Sequence, residues 1–230
     1  LIMAGAPLGN IGDASDRLKE AIANVPFIAA EDSRRFARLC QDLGIHHQAK
    51  VLSFFEGNES ERLDSLISIL KEGHDLLVIT DAGMPGVSDP GYRLIAAAIE
   101  NGIEVKVIPG ASAVTTALLL SGLPTDRFSF EGFAPRTSGT RKTWFEKLQN
   151  EERTWIFFEA PHRLEESLSD FTEVIPSRRI AICREMTKTY EETFRGTVED
   201  ALTWSRSKEI LGEITVVVEG FNPDSLEYSI

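Results

Sequence analysis

Along residues 1–121, short apolar runs alternate with segments whose apolar positions recur at helical spacing. LIMAG (1–5), PFIAA (26–30), VLSFF (51–55), DLLVIT (75–80) and VKVIP (105–109) read as strands, and 13–23, 33–43, 60–71, 92–101 and 112–121 read as helices. Gly44, Gly73 and Gly102 fall just past three of those helices, where a left-handed cap favours glycine. Five strand and helix pairs in succession predict a parallel sheet wound with helices.

The pattern breaks at SGLPTDR (121–127), where Gly122 and Pro124 end the last helix. A domain boundary placed there divides the chain into an N-terminal α/β domain over 1–122, a C-terminal α/β domain over 123–220 and a tail over 221–230. In the second half FSFEGF (128–133), TWIFFEA (154–160), RIAICRE (179–185), ETFRGTV (192–198) and EITVVVEG (213–220) read as strands. Helices are predicted over 139–150 and 162–174, with a short one ending near 204. Consecutive strands late in this half predict a mixed sheet with 192–198 antiparallel. A cleft between two such lobes is a common ligand site.

Three loops carry more chemistry than a turn requires. TDAGMPGVSDPG (80–91) follows an apolar strand with three glycines, two prolines and two aspartates, and it sets Asp81 at a strand end. Ligands of open parallel sheets bind at the carboxyl ends of strands. FFEAPHRL (157–164) repeats the pattern with Glu159, and CREMTKTYEE (183–192) crowds Arg184, Glu185, Lys188, Glu191 and Glu192 beyond another strand. Ionisable groups at strand ends mark either sites or solvated loops. The opening AGAPLGNIGD fits a ligand cradle and close backbone packing equally well, and its glycines match neither dinucleotide nor triphosphate fingerprints. PGASAVTTAL (109–118) leaves the same choice between helix-start amides for a ligand and small residues for tight packing.

Composition narrows the field. A net charge of −12 argues against an extended nucleic-acid surface. Two local basic strings remain: Arg34, Arg35 and Arg38 in one, and Arg136, Arg141 and Lys142 in the other. Each reads as a solvated face or as a phosphate contact. Cys40 and Cys183 stand alone and the four histidines lack ligand spacing, so no metal site is expected and a reducing cytoplasm suits the chain. No apolar stretch approaches the ~18 residues of a membrane span.

Taken in order, GAPLGNIGD, AAEDSRR, TDAGMPGVSDPG, PGASAVTTAL, SGLPTDRFSFEGFAPR, FFEAPHRL and CREMTKTYEE resemble the ribosomal RNA small subunit methyltransferase I family, within the tetrapyrrole methylase fold. The resemblance runs over about residues 1–220. It implies two α/β lobes, the N-terminal sheet mainly parallel and the C-terminal sheet mixed, with S-adenosylmethionine in the cleft between them. It also implies a cytoplasmic homodimer that methylates the 2′-hydroxyl of a cytidine in the decoding region of 16S rRNA, within the small ribosomal subunit. Cofactor contacts carried over from the family pattern are Pro7, Asp81, Ala82, Gly83, Val87 and Ser88 in the first half. In the second they are Phe133, Glu159, Ala160, Pro161, Met186, Gly212, Glu213 and Ile214. Glu185, Lys188 and Arg34 are the candidate catalytic residues, and Arg34, Arg35, Arg136, Arg141 and Lys142 the candidate RNA contacts. Family members commonly carry a further helical segment, whereas this sequence stops at Ile230 with the polar tail NPDSLEYSI. A tetrapyrrole C-methyltransferase of the same fold is the alternative.

Overall fold

The computed structural model describes residues 1–222, so most of the expected tail lies outside the described residues. Contacts divide the chain into two compact units, Leu1–Ser112 and a second that begins at Ala113.

The first unit holds five strands, β1 (Ile2–Ala4), β2 (Phe27–Ala30), β3 (Lys50–Ser53), β4 (Leu76–Ile79) and β5 (Lys106–Ile108). They form one sheet in the order β3-β2-β4-β1-β5, and every pairing is parallel. Burial follows position in the sheet. LLVI of β4 is buried throughout and lies between β2 and β1, whereas the edge strands β3 and β5 are largely exposed. Four helices connect the strands: α1 (Asp16–Asn24), α2 (Ser33–Leu43), α3 (Glu59–Lys71) and α4 (Tyr92–Glu100). Helix α2 starts where Asp32 caps the amides of Arg34 and Arg35, and it stops at Gly44, whose φ of 66° is the left-handed cap its sequence predicts. Phe36 and Cys40, one turn apart, are the face it buries.

Helix α5 (Ala113–Ser121) opens the second unit. Gly122 and Pro124 do end this helix, but its buried residues Val114, Ala117 and Leu118 share a core cluster with Ile156, Ala181, Cys183 and Val217. Packing therefore assigns α5 to the second sheet, so the contact boundary falls before the helix and the sequence boundary after it. That sheet runs β6-β7-β10-β8-β9, from β6 (Phe128–Phe133), β7 (Thr154–Glu159), β8 (Arg179–Arg184), β9 (Glu192–Thr197) and β10 (Ile214–Val218). β6 and β7 are parallel and the other pairings antiparallel, β9 included, so the sheet is mixed. ITVVV of β10 is wholly buried at its centre. Helices α6 (Ser138–Leu148), α7 (Leu164–Thr172) and α8 (Val198–Arg206) complete the unit. Phe145 of α6 stacks on Phe171 of α7 at 4.1 Å over Trp155 and Phe157 of β7.

Candidate active site

In the first unit, the all-parallel sheet sends every strand exit to one side. Because β1, β4 and β2 are neighbours, Pro7, the 80–91 loop and the start of α2 are brought together. The 80–91 loop is pinned at three points. Asp81 N donates to Glu31 Oε2 (3.0 Å), Ala6 and Gly83 exchange backbone hydrogen bonds (2.8 and 3.1 Å), and Gly91 N donates to Glu59 Oε1 (3.0 Å). Gly83 (φ 73°), Gly86 (φ 84°) and Ser88 (φ 61°) all take left-handed backbone. For Ser88, a residue with a Cβ, that conformation carries local strain of the kind that collects at functional sites. Val87 and Ser88 are exposed, Ala82 half-buried, and Pro7 and Gly83 buried.

The choice left open for the opening loop is settled for Gly5. A Cβ there would lie 2.8 Å from Gly110 Cα, so the glycine serves close approach of two backbones. Further along α5, Ala117 is fully buried and Cys183 Sγ donates to its carbonyl, a packing role for that one small residue. Burial pushes the Cys183 thiol up to about 11.

Asp81 accepts from Asp32 N at 3.2 Å and lies 3.3 Å from Arg35 Nη1. Glu31 and Asp32 thus join the site although the sequence reading omitted them. The signal was available: both lie within two residues of the end of β2, as Asp81 does of β4. Burial pushes the Glu31 carboxyl up, the Asp81 amide pulls it back, and the Asp81 carboxylate adds to the rise. Asp32, bound chiefly by the Arg34 guanidinium, is held down to about 2. Arg34 is otherwise 90% exposed.

The second unit gathers its residues through the antiparallel neighbours of β10. Ile214 pairs with Glu159 of β7 on one side and Arg184 of β8 on the other, so the 159–161 turn, Glu185 with Met186, and Gly212 to Ile214 meet at one end of the sheet. A bulge between Phe130 and Phe133, with Gly132 at φ 72°, re-aims β6 there. Phe133 is left 55% exposed, edge-on to Phe158 at 5.4 Å. Met186 and Ile214 are buried.

Glu185 and Lys188 form a closed ionic unit. Glu185 Oε1 accepts from Lys188 Nζ and from Glu213 N, each at 2.9 Å, and Lys188 Nζ also donates to Glu213 Oε2 at 2.9 Å. Burial alone would raise the Glu185 carboxyl, but the Glu213 amide and Lys188 hold it below its ordinary value. Burial would likewise lower Lys188, and its two carboxylates hold it above. Glu185 (φ 51°) and Thr187 (φ 67°) are both left-handed, and a Cβ on Gly212 would collide with the Glu185 side chain.

Three expected roles do not fit where the side chains lie. The Glu159 carboxylate is buried and bound to Ala160 N (2.8 Å), Ser167 Oγ and Arg163, so this side chain is spent within its own unit. Arg141 is fully buried, with Nε donating to Asp170 (2.8 Å) and Nη1 to the Pro135 and Arg136 carbonyls, so it cannot meet RNA. Lys142 is bound to Glu173 (2.7 Å) and neighbours Asp170. Arg136 is exposed. Among the described residues, no group of three His, Cys, Asp or Glu is placed to hold a metal, and no helix is long and apolar enough to cross a membrane.

The family model for Tetrapyrrole (Corrin/Porphyrin) Methylases matches residues 1–202. The chain is 46% identical over 224 residues to a ribosomal RNA small subunit methyltransferase I of Mycobacterium tuberculosis, covering 97% of this chain and 78% of that protein. The chain belongs to the ribosomal RNA small subunit methyltransferase I family. A second family member, from Thermotoga maritima, is 43% identical over 96% of this chain and 98% of its own length. The fold is that of the crystal structure of the methyltransferase CobJ, with a TM-score of 0.72 at 18% identity, over 95% of this chain and 93% of that one. At that identity the likeness speaks for the fold alone.

Proposed function

We propose that this family member transfers a methyl group from S-adenosylmethionine to the 2′-hydroxyl of a cytidine in the decoding region of 16S rRNA, within the small ribosomal subunit. The observation that carries this reading is the 46% identity across 97% of the chain to a ribosomal RNA small subunit methyltransferase I. Likeness to the tetrapyrrole enzymes, the alternative, rests on the shared fold and the wider family.

The residues present fit the donor's chemistry. Asp81 offers a carboxylate to a ribose hydroxyl or an ammonium, the glycines of the 80–91 loop bring backbone groups within reach, and Val87 and Phe133 present exposed apolar surface. We assign Pro7, Ala82, Gly83 and Ser88 to the same task in the first unit. Ala160, Pro161, Met186, Gly212, Glu213 and Ile214 are assigned to it in the second. Glu159 contributes through the turn it holds. When bound, S-adenosylmethionine supplies a methyl group activated on a sulfonium.

Methyl transfer to a ribose oxygen would release the hydroxyl proton, so the residues present have to hold the ribose in place and accept that proton. Positioning and electrostatics supply most of the rate in such a transfer. Lys188, held as an ammonium by two carboxylates, is a fixed cation rather than a base. Glu185 carries the acceptor oxygens and is the proton acceptor of the pair. Arg34, with Arg35 beside it and Arg136 as a further cation, meets RNA phosphate. A homodimer is expected, and two buried free thiols suit a reducing cytoplasm.

Transfer of radiolabelled methyl to 30S subunits, with free 16S rRNA and uroporphyrinogen as parallel acceptors, tests the reading. Label on 30S subunits is expected, and label on the tetrapyrrole alone would overturn it. If Glu185→Ala and Lys188→Ala both keep near-normal rates, the catalytic assignment fails. Light scattering on the purified protein checks the dimer.

A further inference from the structure

Residues leaving β2 and β4 build a clasp that the sheet itself does not require. The pairing of Ala30 with Ile79 already sets the strand register. Beyond it, Asp81 N donates to Glu31 Oε2 at 3.0 Å while Asp32 N donates back to Asp81 Oδ1 at 3.2 Å, so each exit supplies a carboxylate to an amide of the other. Arg35 Nη1 then lies 3.3 Å from Asp81 Oδ2. These groups line a small recess together with Phe36 and Thr80. Solvent would satisfy partly exposed amides without bringing two carboxylates together, and like charges at close range are unfavourable. A device that accepts this repulsion has to return something, and what it does is remove the freedom of Asp81: the Glu31 bond holds its peptide plane, and Asp32 N with Arg35 holds its carboxylate.

We infer that Glu31 is a positioning residue for the donor site, holding the Asp81 peptide so that the Asp81 carboxylate is preorganised for S-adenosylmethionine. This rests on the proposed role of Asp81 as a cofactor contact. A preorganised acceptor avoids the ordering cost at the moment of binding, so the effect falls on donor affinity rather than on turnover at saturation.

Titration calorimetry of the whole protein with S-adenosylmethionine, alongside methylation of 30S subunits at saturating donor, tests this. Glu31→Ala is expected to weaken donor binding about tenfold, the scale of one hydrogen bond to a charged group, with turnover at saturation within about threefold. Glu31→Gln, whose amide oxygen accepts the same N–H, is expected to restore affinity to within about threefold of wild type. Arg35→Gln, at a side chain 66% exposed and therefore safe for folding, should weaken donor binding about threefold and decides the matter if Glu31→Ala does not fold. Wild-type affinity in Glu31→Ala, Glu31→Gln as weak as Glu31→Ala, or a fall in turnover with affinity unchanged would each overturn the inference while leaving the donor site intact. No heat from the wild-type protein would instead overturn the cofactor reading beneath it.

Discussion

Two basic strings look alike in the sequence and end in opposite environments. Arg34, Arg35 and Arg38 lie on the first turns of α2, where Arg34 is 90% exposed and its partner Asp32 is the helix cap itself. Arg141, on α6, is fully buried against Asp170 of α7, and Lys142 beside it is bound to Glu173. Both strings sit near helix starts, so local position does not separate them. The partner does: Asp32 is two residues from Arg34, whereas Asp170 is 29 residues from Arg141 and arrives only when α6 and α7 pack over β7. A buried guanidinium needs an acid and carbonyls around it, and one with these partners is committed to the core.

Arg141→Ala sharpens the contrast most. Leaving Asp170 buried without its main partner should cost about 3–5 kcal/mol, lowering the melting temperature by roughly 10 °C. A melting curve checks it, and a stable variant that fails only on RNA would break the comparison. Next, Arg34→Ala should lower methylation of 30S subunits roughly tenfold at moderate salt and reduce the salt slope by about one, with melting unchanged. Assays across a salt series read both.

Lys188 stands between the extremes, half-buried yet paired. Its ammonium is held above the ordinary lysine value, so its stabilisation is complete below about pH 10.4 and lost as pH rises beyond that. Glu185 is held below the ordinary carboxyl value, so its share is complete above about pH 4.3 and lost as pH falls. Lys188→Met should therefore cost about 1 kcal/mol near neutral pH and less at either extreme, as urea titrations at several pH values would show. Smallest is Lys142→Ala, expected to leave both melting and methylation almost unchanged. A large loss of methylation there would return the second string to the RNA surface.

The alternation of strand and helix was legible because it is local. LLVI announces a strand buried on both faces, and Gly44 marks a helix end by a backbone requirement confined to one residue. Asp81 stood out for a similar reason, being an acid two residues beyond a buried strand. Its partners did not: Glu31 is 50 residues away, and the two meet only because β2 lies beside β4 rather than β1. The same holds at the second sheet. The sequence marks Glu185 and Gly212 separately, and only the antiparallel placement of β10 next to β8 makes the glycine a condition for the glutamate's position.

Helix α5 shows where the division falls. Its extent and its end at Gly122 follow from residues within it, since helix formation and termination are decided over a few neighbouring positions. Its membership of the second unit depends on Ala117 and Leu118 meeting Cys183 and Val217, which lie far along the chain. Periodicity and punctuation state which face an element will bury. Which neighbour covers that face, and which distant charge a buried arginine or a strand-end carboxylate finds, is settled by topology, because burial free energy is a property of the assembled contact and not of either segment alone.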